Sequence, residues 1–217
     1  MTESVSRDRY GMVFTLLLAS FLAATVLSGR GSRIVTLLLY AAALVLVLRT
    51  ARLPGRSARY LRWGLLVGSV IVVALLATPA GRVIEGLASL WAACLLMFTV
   101  FVVVAGILRH RVVSTQTIMG ALSAYLLLGF LFAAMFTATA KLGTAPFFTN
   151  GETPDTDSIQ YFAFITLTTT GYGDLTPASQ PGRSLAVLDA LAGQIFLVTL
   201  VARLVSVFGI ARRPPEE

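Results

Sequence analysis

The stretch SIQYFAFITLTTTGYGDLTP, residues 158–177, decides how this chain is to be read. Its opening, Ser158 to Thr168, is apolar enough for a membrane, but it is only about half the roughly 20 residues needed to cross a hydrocarbon core. That length predicts a re-entrant helix rather than a span. Non-helical backbone follows at once, with Gly171 and Gly173 at alternate positions. Irregular backbone at membrane depth survives only where it lines a water-filled or ion-filled path. Glycine admits left-handed angles, so the carbonyls of Thr169, Thr170, Gly171 and Tyr172 can all turn toward one axis. One chain supplies one side of such an axis, and four symmetry-related chains would close it into rings of oxygen ligands. Those rings would replace the hydration shell of a monovalent cation, and the Thr169 hydroxyl would add a further ring at the inner end.

Outward from this stretch the chain is membrane-like throughout. It is 57% hydrophobic and only 12% charged over 217 residues, too apolar for a soluble surface. Six apolar runs stand between charged gaps: about Gly11 to Ser28, Ile34 to Leu48, Trp63 to Thr78, Gly86 to Leu108, Thr117 to Ala140 and Ser184 to Val207. The fold class predicted is an all-α membrane protein with six transmembrane helices, the re-entrant helix lying between the fifth and the sixth. The first run has Arg7 and Arg9 before it but no convincing cleavage site, so a retained helix is expected rather than a signal peptide. Cys94 is the single cysteine, which excludes a disulfide framework within one chain.

The net charge of +7 does not point to nucleic acid, because the basic residues sit in short gaps and form no aromatic-interleaved patch. Topology explains them. Arg49, Arg52, Arg56, Arg59 and Arg62 fill one gap, Arg109, His110 and Arg111 another, and Arg212 and Arg213 close the chain. With Arg7 and Arg9, all fall on one side of an even-spanning arrangement, which predicts a multi-pass plasma-membrane protein with both termini cytoplasmic. Arg30, Arg33 and Arg82 fall on the opposite face, together with a segment from Lys141 to Gly182 that carries Glu152, Asp155, Asp157 and Asp174. The tail after Gly209, IARRPPEE, is too short for a folded domain, so no cytoplasmic ligand-binding domain is expected. His110 reads as a solvated basic residue, with pH sensing the alternative.

The stretch from Thr168 to Asp174 resembles the filter signature of the tetrameric potassium channels, and its GYG triplet resembles their potassium-selective form. The resemblance extends over about Thr117 to Phe208, as outer helix, pore helix, filter and inner helix. It implies a homotetramer around a central pore, with potassium as permeant ion held by Thr169, Thr170, Gly171, Tyr172 and Gly173, and no cofactor. Thr170 stands where many members carry valine or isoleucine, and Ile165 where many carry a carboxyl group that pairs with the residue at Asp174. Filter stability is therefore expected from elsewhere. By the same resemblance Tyr161 and Phe162 match an aromatic cuff around Tyr172, with lipid-facing or core aromatics the alternative. Gly193 matches an inner-helix hinge, with close helix packing the alternative. Gln194, Leu197 and Val201 follow at helical spacing and would line the cavity.

Other residues are read from their own chemistry. Asp174 would concentrate cations at the outer mouth, or act as a turn residue; both are compatible. Asp189, an acid within the last run, is expensive unless paired. It falls off the cavity face, so a hydrogen bond to the back of the pore helix, at Thr166 or Thr168, is expected, with direct ion contact the alternative. Thr168 and Asp189 thus join Tyr161 and Phe162 as filter support. Arg203 is expected to snorkel to the inner interface.

Two domains are expected: 1–110, four helices laid out like a voltage sensor, and 111–217, the pore. The likeness to voltage-gated channels stops at layout, because Gly86 to Leu108 contains no arginine or lysine to move in the field. Little intrinsic voltage sensing follows. A potassium-transporter subunit is the alternative, weakened by the single, undegenerate filter loop. A weakly selective cation channel is a second. A membrane enzyme has no His/Glu or Ser/Lys pair at catalytic spacing to support it.

Overall fold

The computed structural model describes residues 10–26, 64, 67–72, 74, 81–109 and 115–210. The second apolar run, much of the third, the basic gap 49–62, His110, Arg111 and both basic termini lie outside the described residues. Among the described residues the regular elements are helices: α1, Tyr10–Val26; α2, Arg82–Arg109; α3, Thr115–Leu142; α4, Thr156–Leu167; and α5, Gln180–Ile210. Of these, α2, α3 and α5 are long and apolar enough to cross a membrane. At 1.5 Å per residue, α2 and α3 each reach about 42 Å from their 28 residues, whereas α4 reaches about 18 Å from its 12.

α2 and α3 form an antiparallel pair. Ala88, Ala92, Leu95, Leu96, Val103 and Ile107 recur every three or four residues on α2, so one face buries against Ala121, Ala124, Leu127 and Leu131 of α3. The alanines let the backbones approach, the usual source of helix affinity where lipid is as apolar as the core. Thr99 and Ser123 lie in this interface and satisfy their hydroxyls on the carbonyls of Leu95 and Met119, each at 2.7 Å. At one end Lys141 pairs with Glu85 at 3.0 Å, and Arg82 donates to the carbonyls of Ala140 and Gly143 at 3.3 and 3.1 Å. That guanidinium caps the negative end of α3.

α1 packs into the same core through Val13 and Leu17 and reaches α4 through Phe21. A second, aromatic core lies further along α3, where Phe132 and Phe136 meet Phe147, Phe148 and Phe162. These two cores hold α4 against the fixed frame of α3. α5 is different: Val187, Leu188, Leu191, Ile195 and Val198 stand exposed along it, leaving a long apolar face uncovered by the single chain.

Candidate functional site

α4 begins at a side-chain cap. Asp155 has extended backbone, and its carboxylate accepts the Ser158 N–H at 2.8 Å, satisfying one of the first-turn donors. Ile159, Phe162, Ala163 and Leu167 face inward along the helix. Phe162 stacks edge-on against Phe136 at 4.9 Å and Phe148 at 5.6 Å, and Phe164 against Phe21 at 5.2 Å and Phe130 at 5.5 Å. Gly129 of α3 makes the room for the Phe164 ring, which would lie 2.5 Å from an added Cβ.

Beyond α4 the chain turns back on the helix end. The N–H of Thr168 donates to Phe164, that of Thr169 to Thr166, and those of Thr170 and Gly171 both to Ile165, at 2.9–3.1 Å. Thr169, Gly171 and Gly173 take positive φ of 56°, 47° and 80°. This every-second-residue alternation turns successive carbonyls to one side. Among the described residues, the carbonyls of Thr169, Thr170, Gly171 and Tyr172 accept no hydrogen bond. Residues 168–174 are all exposed. The segment therefore spends the N–H groups of Thr168 to Gly171 on α4 and presents a row of free oxygens, an arrangement suited to a cation. Thr169 is the unexpected member of the alternation: a β-branched residue at positive φ is an outlier that costs about 1–3 kcal/mol.

Side chains brace both ends of this segment. Thr168 Oγ1 donates to Phe164 O at 2.8 Å and lies 2.9 Å from Thr170 Oγ1, so the hydroxyl at position 170 is engaged behind the carbonyl row. Tyr161 Oη donates to Asp174 Oδ2 at 2.8 Å, and Asn150 Nδ2 to the Asp174 carbonyl at 3.2 Å. The hydrogen bond to Asp174 raises the Tyr161 phenol above its ordinary pKa, since ionisation would break it and set two negative charges together. Residues 147–150 run beside 174–178: Thr149 N–H donates to Thr176 O at 2.9 Å, Ala178 N–H to Phe147 O at 2.8 Å, and Arg183 Nε to Pro177 O at 3.0 Å. Asn150, Thr149 and Arg183 carry no motif in the sequence, because their partners lie 6 to 27 residues away.

α5 closes against the other end. A Cβ on Gly193 would overlap the Leu167 carbonyl oxygen and stand 3.0 Å from its carbon, so the helices touch backbone to backbone. The next residue, Gln194, donates from Nε2 to Thr169 Oγ1 at 3.0 Å. Leu197 is exposed one turn further on; Val201 lies in α5, its side chain outside the described residues.

Two expectations are corrected. Phe162 does not wrap Tyr172 within the chain; it is 4% exposed in the aromatic core, and Tyr172 stands 72% exposed. Tyr161 donates to Asp174. Asp189 is fully buried, yet among the described residues neither carboxyl oxygen has a hydrogen-bond partner, so the bond to Thr166 or Thr168 is absent. Arg203 Nη2 donates to Ile107 O at 2.7 Å, tying α5 to the last turn of α2.

Residues 122–209 match a family model described as ion channel, a stretch that takes in most of α3, all of α4, the 168–174 segment and α5 almost to its end. Neither curated proteins nor solved structures gave a match. The matched region and the three membrane-capable helices support an ion channel in a membrane.

Proposed function

We propose that this chain is one subunit of a homotetrameric, potassium-selective channel, with Thr169, Thr170, Gly171, Tyr172 and Gly173 as the filter. The observation that carries the reading is the row of carbonyls from Thr169 to Tyr172, unbonded among the described residues, beside the N–H groups of Thr168 to Gly171 that are committed to α4. Four copies bring four such rows to one axis, and the exposed apolar face of α5 is the surface that neighbouring copies would cover. Asp174 stands at the outer mouth, where four carboxylates raise the local cation concentration. Potassium is the permeant ion, no cofactor takes part, and the protein has no enzymatic activity.

The rest of the reading concerns topology. Residues 1–110 supply four of six transmembrane helices and 111–217 the pore, with both termini on the cytoplasmic side of the plasma membrane and lipid around the whole. α2 carries no basic residue between Gly86 and Leu108, so it moves no charge through the field and intrinsic voltage dependence is weak. The reading is tested by cation flux into liposomes holding the purified protein. Potassium uptake well above sodium uptake, abolished by Gly173→Ala at its left-handed φ, is expected. Equal uptake of the two ions would refute selectivity.

A further inference from the structure

We propose that Gln194 is a positioning residue for the innermost oxygen ring of the filter: its side-chain amide holds the Thr169 hydroxyl and thereby sets how tightly that ring binds a cation. This rests on the channel reading given above and assigns Gln194 a role beyond lining a cavity.

A threonine hydroxyl has one donor and two acceptor positions. In Thr169 the donor is spent on Thr168 O at 2.7 Å, and one acceptor position receives Gln194 Nε2 at 3.0 Å. One lone pair is left for an ion, and its direction is fixed because the other two positions are occupied. The backbone beneath needs that restraint. Thr169 is the one described non-glycine residue at positive φ, so without a side-chain tether its peptide has every reason to relax. Gly193 makes the tether exact in register: backbone contact with Leu167 fixes the height of α5 against α4, and the adjacent Gln194 amide arrives at Thr169 from that fixed point. The inner helix is thereby joined to the filter through a single amide per subunit, so a movement of α5 at this level reaches the innermost ring directly.

The probe is block of potassium current by Ba2+ applied from the side of the α5 C-terminus, since a divalent cation of nearly potassium's size binds the same oxygen rings. Measurements use the full tetramer in planar bilayers. Gln194→Leu is expected to weaken block roughly tenfold while potassium current persists, from loss of a modest hydrogen bond in each of several subunits. Thr169→Val, which removes the ligand oxygen together with the acceptor, should weaken it further, and Thr169→Ser, which keeps both, should leave it near the wild-type value. The double variant Gln194→Leu/Thr169→Val should be no worse than Thr169→Val alone, because the amide acts only through that hydroxyl. Additive losses, or unchanged block in Gln194→Leu, would overturn the proposal. Should Gln194→Leu fail to assemble, Gln194→Asn decides, since it keeps the amide but falls a methylene short: weaker block supports the tether and unchanged block overturns it. Absence of potassium current in the wild type would instead refute the channel reading itself.

Discussion

Gly193→Ala separates two roles for one glycine by the sign of its effect. A glycine kept for flexibility costs its helix about 1 kcal/mol relative to alanine, so a pure hinge should become more stable when replaced. The structure gives the opposite expectation. The new methyl would overlap the Leu167 carbonyl oxygen, with the carbonyl carbon at 3.0 Å and Leu167 Cδ1 at 3.1 Å. Two of those atoms are backbone at the end of α4 and cannot rotate aside. Overpacking of this kind costs about 1–3 kcal/mol, and the upper end applies where the obstacle is main chain. After the propensity gain, a net loss of about 2 kcal/mol per subunit is expected. Leu167 directly precedes Thr168, so the displacement passes into the filter and conductance should fall with stability. The assay is thermal melting of the purified protein, with its assembly followed by size exclusion, beside single-channel conductance. A Gly193→Ala protein that melts higher than wild type, with altered open probability but normal conductance, would refute the packing role.

Gly129→Ala presses instead on the Phe164 ring, the end of a side chain that can shift, so a loss smaller than that of Gly193→Ala is expected in the same melt; an equal or larger loss contradicts this ordering. Tyr161→Phe removes the 2.8 Å bond to Asp174; at this exposed site the loss is small, read as faster decay of current during sustained opening, and unchanged decay would count against the bond. Asp189→Asn keeps the side-chain volume and removes an ionisable group with no hydrogen-bond partner among the described residues, so the protein should melt at or above the wild-type temperature. A drop of more than about 1 kcal/mol would reveal a carboxyl partner.

Much of the helical scaffold was legible because apolar runs and membrane helices coincide. The run Gly86 to Leu108 lies inside α2, Thr117 to Ala140 inside α3, and Ser184 to Val207 inside α5, each helix overrunning its apolar stretch by a few polar residues that cap or pair, such as Arg82 and Lys141. The start of α4 also falls near the expected place, because Asp155 provides a cap ahead of Ser158. Side-chain roles were less legible. Tyr161 and Phe162 are neighbours about 100° apart on a helix, and pattern alone does not say which turns to the core and which to Asp174. A β-branched residue at positive φ runs against local preference, so Thr169 gave no sign of its conformation. The Gln194–Thr169 and Arg203–Ile107 bonds join residues 25 and 96 apart, which no local period encodes. Asp189 invited a partner on energetic grounds and has no hydrogen-bond partner among the described residues.

The central claim is selective conduction through residues 169–173, and the most direct test is the reversal potential of the reconstituted protein with potassium on one side of a planar bilayer and sodium on the other. The account predicts reversal displaced far toward the potassium equilibrium value in the wild type and lost in Gly173→Ala. A current that reverses near zero in the wild type would contradict it.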